Sequence, residues 1–248
     1  MTLHSADAPP TLDVEGSVAT IRLRRPAEHN RIDPDDVAII HAYLDSGKLY
    51  PRARALVFTG TGETTFSSGY TVDAIVGRLD RNFEDLLDAI ERFPLPTICA
   101  LNGSVYGGAT DLALCCDFRL GVRGSRMFMP AAKFGLHYYP GGLRRAVAAL
   151  GAAQAKRIFL TAQTIDADEM LRIGFLTELI DRGELTRRVE AYAAALAECE
   201  PGVVKSMKRQ IDAIAAGDHA AGESRAAYEA SLGSEELRRR LAKASHQG

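Results

Sequence analysis

Residues 102–117 read NGSVYGGATDLALCCD, setting two glycines and one acid directly ahead of an apolar run. Gly107 and Gly108 strip side chains from a point where the backbone must come close to something else. Thr110 and Asp111 look like the start of a helix, where free N–H groups and the positive end of the dipole face outward. Two readings follow. Such a terminus can support negative charge while Asp111 carries a proton, or Asp111 can simply complement and cap the helix, worth ~0.5–2 kcal/mol. On the capping reading Asn serves as well as Asp, and Asp111→Asn shifts stability by less than ~1 kcal/mol. The cysteines suggest no further chemistry. Cys99, Cys115, Cys116 and Cys199 show no Cys-x-x-Cys or Cys/His spacing, so no metal site is expected and they read as reduced packing residues.

The elements that would position this acid alternate along the first half of the chain. SVATIRL (17–23) is alternating and β-branched, a strand stopped by RRP. ARALVFTG (53–60) and PTICALNG (96–103) are short apolar runs of the kind that form buried strands. FEDLLDAIERF (83–93) places Phe83, Leu86, Leu87 and Ile90 on one helical face, and DFRLGV (117–122) returns to strand. Strands alternating with helices over about residues 13–122 predict an α/β core. Beyond residue 145 the patterns are Ala-, Leu- and Arg-rich helices, the last spanning about 220–244. The expected plan is a flexible lead at 1–12, an α/β core at 13–195 and a helical region at 196–248 that caps the core or packs on neighbours.

Composition narrows the classes. At 248 residues and a formal net charge of −2 the chain carries no field that favours nucleic acid or an anionic membrane. No apolar stretch reaches the ~18 residues of a membrane span. The lead MTLHSADAPPTLD lacks a basic region followed by an apolar core, so it does not read as a secretory signal, and cytoplasmic residence is expected.

Four segments in order resemble the crotonase, or enoyl-CoA hydratase/isomerase, superfamily. IRLRRPAEHNRID (21–33) resembles its first strand and the turn bordering the coenzyme A nucleotide. FSSGYTVDAI (66–75) is similar to the segment supplying the first oxyanion-hole amide, and ALNGSVYGGATDLALCCDFRLG (100–121) to the signature holding the second. TAQTIDADEMLRIGFLTELID (161–181) resembles the stretch that introduces the helical C-terminal part. The resemblance implies a spiral of β-β-α turns, assembled as trimers or dimers of trimers. It implies an acyl-CoA thioester substrate, with coenzyme A as part of the substrate and no separate cofactor. By position, the amides of Ser68 and Gly108 would hold the thioester oxygen. Arg25, Ala27, Ser68, Gly69, Tyr70, Gly107 and Gly108 would border the ligand, and Arg24 or Arg25 could meet a phosphate.

The sequence departs from the family where proton transfer is concerned. Hydratases of the family use two glutamates. The first position carries Asp111, and the second falls in MFMPAAKFGLHYYPGG, where Pro130 is followed by Ala131. No Asp or Glu stands between Asp117 and Asp166 to replace it. That loop offers Lys133, His137, Tyr138 and Tyr139 instead. A tyrosine hydroxyl can bind a carboxylate or water, and a histidine can exchange a proton at working pH; both tyrosines also read as pocket walls. Asp117 reads as closing the signature helix or holding a turn. The expectation is an oxyanion-stabilised enolate with Asp111 as main proton carrier, better suited to shifting a proton between carbons than to adding water. Alternatives are decarboxylation or C–C hydrolysis run by Tyr138, His137 and Asp111, or an inactive acyl-CoA-binding protein.

Overall fold

The computed structural model describes residues 8–46, 52–218 and 221–245. Its larger sheet has six strands in the spatial order Ala8–Glu15, Val18–Arg24, Ala55–Gly60, Thr97–Leu101, Phe118–Val122 and Glu178–Ile180. The first pair is antiparallel and every later pair is parallel. Strands Ala55–Gly60 and Thr97–Leu101 are buried along their whole length, as expected when both faces of a parallel sheet are covered. Leu56, Phe58, Cys99 and Leu101 join the main core. The alternate residues Ala55, Val57, Ile98 and Ala100 pack with Leu185 and, beside them, Val189 and Leu196 of the helix Leu185–Glu198.

A smaller sheet orders Thr65–Ser67, Ser104–Tyr106, Arg126–Phe128 and Ile165–Asp166. These strands hold two or three residues each, too few to register as a period-2 pattern, and the sequence reading omitted them. Three of them follow directly on strands of the larger sheet, so the chain steps repeatedly from one sheet to the other before a helix returns it. That is the β-β-α spiral. Helix Pro34–Asp45 was also absent from the sequence reading.

Two boundaries differ from expectation. The first strand begins at Ala8, inside the segment read as a lead, because its backbone pairs with Val18–Arg24 and Tyr43 donates to the Pro10 carbonyl at 3.0 Å. The remainder of that lead, residues 1–7, lies outside the described residues. The expected final helix is two, Ala221–Leu232 and Glu235–Ala244, with Ser234 capping the second through the Leu237 amide.

Helix Pro201–Ala216 is tied to the core by Lys208, which donates to Asp117 at 2.5 Å and to the Glu91 carbonyl at 3.2 Å. Asp117 also accepts the Thr97 amide and hydroxyl, so it joins a core strand to the C-terminal region rather than closing a local turn. Among the described residues no helix is long and apolar enough to cross a membrane.

Candidate active site

The loop after strand Val18–Arg24 is folded around Asn30. This residue is fully buried at φ 52°, a left-handed conformation that Asn tolerates better than most side chains. Its amide group donates to the carbonyls of Thr61 and Thr65 at 2.8 and 2.9 Å, while its side-chain oxygen accepts the Arg25 amide. Its own carbonyl accepts the Ser67 hydroxyl at 2.7 Å. Asn30 therefore fixes the end of strand Thr65–Ser67 and the backbone that follows.

That backbone has an uneven supply of donors. Ser68 N–H donates to the His29 carbonyl at 2.8 Å, Gly69 N–H to the Ser67 hydroxyl at 3.0 Å, and Thr71 N–H to the Ile32 carbonyl at 3.0 Å. Among the described residues Tyr70 N–H has no partner. The expected Ser68 donor is thus corrected: its hydrogen is already committed, and the free amide lies two residues further on. Gly69, at φ 83°, makes the turn that brings Tyr70 around.

Across from Tyr70 stands the glycine pair. Gly107, at φ 54°, sends its N–H to the Phe128 carbonyl and precedes the helix Gly108–Leu114. Gly108 N–H, like that of Tyr70, has no partner among the described residues. The two segments touch so closely that a side chain at Gly69 would lie 2.6 Å from the Gly108 nitrogen. A side chain at Gly108 would lie 3.5 Å from the Tyr70 nitrogen and 2.9 Å from the Phe83 ring. Only glycine at both positions lets the two segments adjoin.

Tyr70 and Gly108 both line a cavity of about 360 Å³. Ser68, Tyr70, Gly107, Gly108, Tyr138 and Tyr139 line it, with His137 beside them. Ile75, Leu79, Phe83, Met129 and Leu136 supply an apolar wall. Asp80 and Glu84 also border it, acids from upstream in the chain rather than from the acid-free stretch between Asp117 and Asp166. His137 is exposed, and its Nδ1 contacts the Tyr138 carbonyl at 2.7 Å. Lys133 is exposed and outside the lining.

Asp111 sits behind this wall, not in it. It is 1% exposed, and its carboxylate is fully engaged. Arg145 donates through Nε to Oδ1 at 2.8 Å and through Nη2 to Oδ2 at 3.1 Å. The hydroxyls of Tyr139 and Tyr138 also donate to Oδ2, the latter at 3.4 Å. Among the described residues no backbone N–H donates to this side chain, so the capping reading does not hold: the helix N-cap is Gly107, without a side-chain cap. The tyrosine rings stack at 4.6 Å, and Tyr138 packs on Phe159. Gly142 leaves them room, since a side chain there would lie 2.2 Å from the Tyr138 ring and 2.7 Å from Asp111 Oδ2.

The electrostatics of the cluster follow from burial and charge. Burial pushes both tyrosine hydroxyls well above their ordinary value, and the Asp111 charge pushes them further, so each keeps its proton. For Arg145 burial works against the cation, but the hydrogen bond and charge of Asp111 outweigh that and hold it charged. Its Nη1 meets Asp88 at 2.8 Å and Glu91 at 3.1 Å. Sequence reading missed Arg145 because it stands in an Ala-rich helical pattern beside Arg144, and nothing local separates a buried arginine from a solvated one.

Of the two arginines expected near a phosphate, the structure gives partners for one. Arg25 is spent within the chain, on Asp33 at 3.0 Å, Asp36 at 2.7 Å and the Ala8 carbonyl. Ala27 is exposed in the short turn Pro26–Glu28, away from the cavity lining.

Comparison with known proteins places this geometry in context. The enoyl-CoA hydratase/isomerase family profile matches residues 13–236. The short-chain-enoyl-CoA hydratase of Clostridium acetobutylicum is 29% identical over 211 residues, covering 81% of this chain and 80% of its own. The crotonyl-CoA hydratase of Syntrophomonas wolfei is 28% identical, covering 75% of this chain and 74% of its own. Among solved structures, Pseudomonas aeruginosa DspI superposes with a TM-score of 0.87 at 25% identity, over 98% of this chain and 96% of its own. The Bacillus anthracis enoyl-CoA hydratase superposes at 0.86 with 22% identity, over 97% of each chain, and shows the shared fold.

Proposed function

The chain belongs to the enoyl-CoA hydratase/isomerase family, and from that premise we propose that it binds an acyl-CoA thioester with the carbonyl oxygen between the N–H groups of Tyr70 and Gly108. The observation that carries this reading is that two amides without partners among the described residues belong to adjoining segments that line one cavity. Such donors, fixed before the substrate arrives, stabilise negative charge on the oxygen of an enolate by a few kcal/mol each.

Proton transfer at the α-carbon then falls to Tyr139, with Asp111 behind it. The α C–H bond breaks, its electron pair moves toward the thioester oxygen, and the proton goes to the phenol oxygen as the phenol's own proton passes to Asp111. Tyr138 holds the same carboxylate oxygen from the other side. A single relay of this kind suits moving one proton between carbons better than hydration, which needs separate acid and base groups. His137 and Ser68 shape the cavity in this reading, and coenzyme A enters only as part of the substrate.

A second reading has one specific observation in its favour. Asp111 is taken up by Arg145 and both tyrosine hydroxyls and stands outside the cavity lining, so it does not itself reach an α-proton. Loss of CO2 from a malonyl-type thioester breaks the Cα–carboxylate bond, sends its electron pair to the thioester oxygen and forms the same enolate without a base; solvent water then supplies the α-proton. For the whole protein we propose cytoplasmic residence, and trimers or dimers of trimers.

The deciding experiment uses butyryl-CoA and malonyl-CoA side by side. The infrared band of a 13C-labelled butyryl thioester carbonyl should shift to lower frequency on binding, and the α-protons should exchange with D2O. Gly108→Val, which drives a side chain into the Phe83 ring, should abolish both while circular dichroism shows a folded chain. An unshifted carbonyl in the wild type would overturn the oxyanion assignment. CO2 release without α-proton exchange would select the decarboxylase.

A further inference from the structure

We propose that Arg145 is the positioning residue of the proton relay: it holds the Asp111 carboxylate in one orientation and thereby fixes which way the Tyr139 hydroxyl points. This rests on the acyl-CoA reading above and extends it to a residue that never meets substrate.

The geometry is specific. Arg145 is 3% exposed and belongs to helix Pro140–Thr161, with Tyr139 immediately before that helix. Its guanidinium fork takes both oxygens of Asp111, a bidentate arrangement that fixes the plane of the carboxylate. An Asp that accepts two guanidinium hydrogens and two hydroxyl hydrogens has no proton to give. The Tyr139 hydroxyl must therefore donate inward, to Oδ2, and its oxygen keeps lone pairs for whatever enters the cavity. Arg145 thus makes Tyr139 an acceptor toward substrate rather than a donor.

The same arginine is fixed from behind. Nη1 bonds Asp88 and Glu91 on helix Arg81–Glu91, and Glu91 also takes Arg144. Phe83, on the same helix, lines the cavity. Arg145 itself contributes nothing to the lining, so its removal should leave the ligand contacts in place. Without it, nothing would fix the plane of the Asp111 carboxylate that faces the two hydroxyls.

The test measures α-proton exchange of butyryl-CoA in D2O, with affinity followed separately by calorimetry. Arg145→Met should lower the saturated exchange rate by about tenfold or more, the size of effect that misplacing a reacting group produces. Butyryl-CoA affinity should stay within about twofold, and Arg145→Lys should recover part of the rate. If Arg145→Met does not fold, Asp111→Asn/Arg145→Met carries no unpaired charge at the pair. It should exchange at the rate of Asp111→Asn alone, because the arginine has nothing left to position. A folded Arg145→Met with wild-type exchange overturns the proposal, as does one that loses affinity but keeps its saturated rate. So does a double variant much slower than Asp111→Asn. Wild-type protein that binds butyryl-CoA without exchange removes the α-proton relay itself, an outcome separate from any result on Arg145.

Discussion

At the scale of single residues, the structure moves Asp111 from a helix-start acid to the centre of a buried ion pair, and this changes what its replacement should do. A capping carboxylate would accept Asn at less than ~1 kcal/mol. A carboxylate paired to a 2%-exposed arginine side chain is another matter, because removing its charge leaves the guanidinium partly unmatched inside the protein. Breaking a buried pair costs ~3–5 kcal/mol. Arg145 keeps Asp88 and Glu91, so the lower end of that range is expected for Asp111→Asn. The thermal midpoint should fall by roughly 6–12 °C, at ~2–4 °C per kcal/mol for a chain of this size. The exchange rate should fall by ~10²–10⁴-fold if the relay runs through this group. A melt within 2 °C of wild type, a figure at the low end of about 1 kcal/mol, would contradict the buried-pair account.

At the scale of elements, the glycines and Asn30 set the cavity wall and Lys208 sets the C-terminal region. The Lys208 ammonium is shielded, its side chain 8% exposed, and reaches Asp117, Asp212 and the Glu91 carbonyl. Burial alone would lower its pKa, but the two carboxylates raise it above the ordinary lysine value. A base with a raised folded pKa contributes stability that is complete below its unfolded value, ~10.4, and is lost as pH climbs through the folded one. Lys208→Met should therefore be less stable than wild type at pH 8, by ~1.5–3 kcal/mol for hydrogen bonds to charged groups. The gap should narrow only above about pH 10.4. Urea melts at both ends of that range decide it, and a gap that closes near neutral pH would show that Lys208 does not hold this helix.

At the scale of the whole molecule, the C-terminal helices leave apolar surface uncovered. Val203, Met207, Ile211 and Ile214 follow one another at helical spacing, between 39% and 64% exposed, and Tyr228, Leu232 and Leu241 add to them. A contiguous apolar face of this kind marks an interaction surface. With the assembly proposed above, light scattering should return three or six chain masses, and Ile211→Glu/Ile214→Glu should shift the protein to smaller species. A monomer mass for wild type at micromolar concentration would contradict it.

The sequence by itself determined the alternation of buried strands and helices, the two glycine segments and the absence of a second acid after Pro130. These are local properties: a β-branched run, a missing side chain and an absent carboxylate each show in a few consecutive letters. It could not place the short strands of the second sheet, whose two or three residues carry no period. Nor could it find which amide was free, since Ser68 and Tyr70 differ only in whether a distant carbonyl, that of His29, takes their hydrogen. Arg145 shows the same limit. Only packing helix Pro140–Thr161 against helix Gly108–Leu114 turned one of two adjacent arginines inward onto Asp111. Hydrogen-bond partners and buried charge pairs are set by contacts between segments far apart in the chain, and that is the part of the site only the tertiary structure decided.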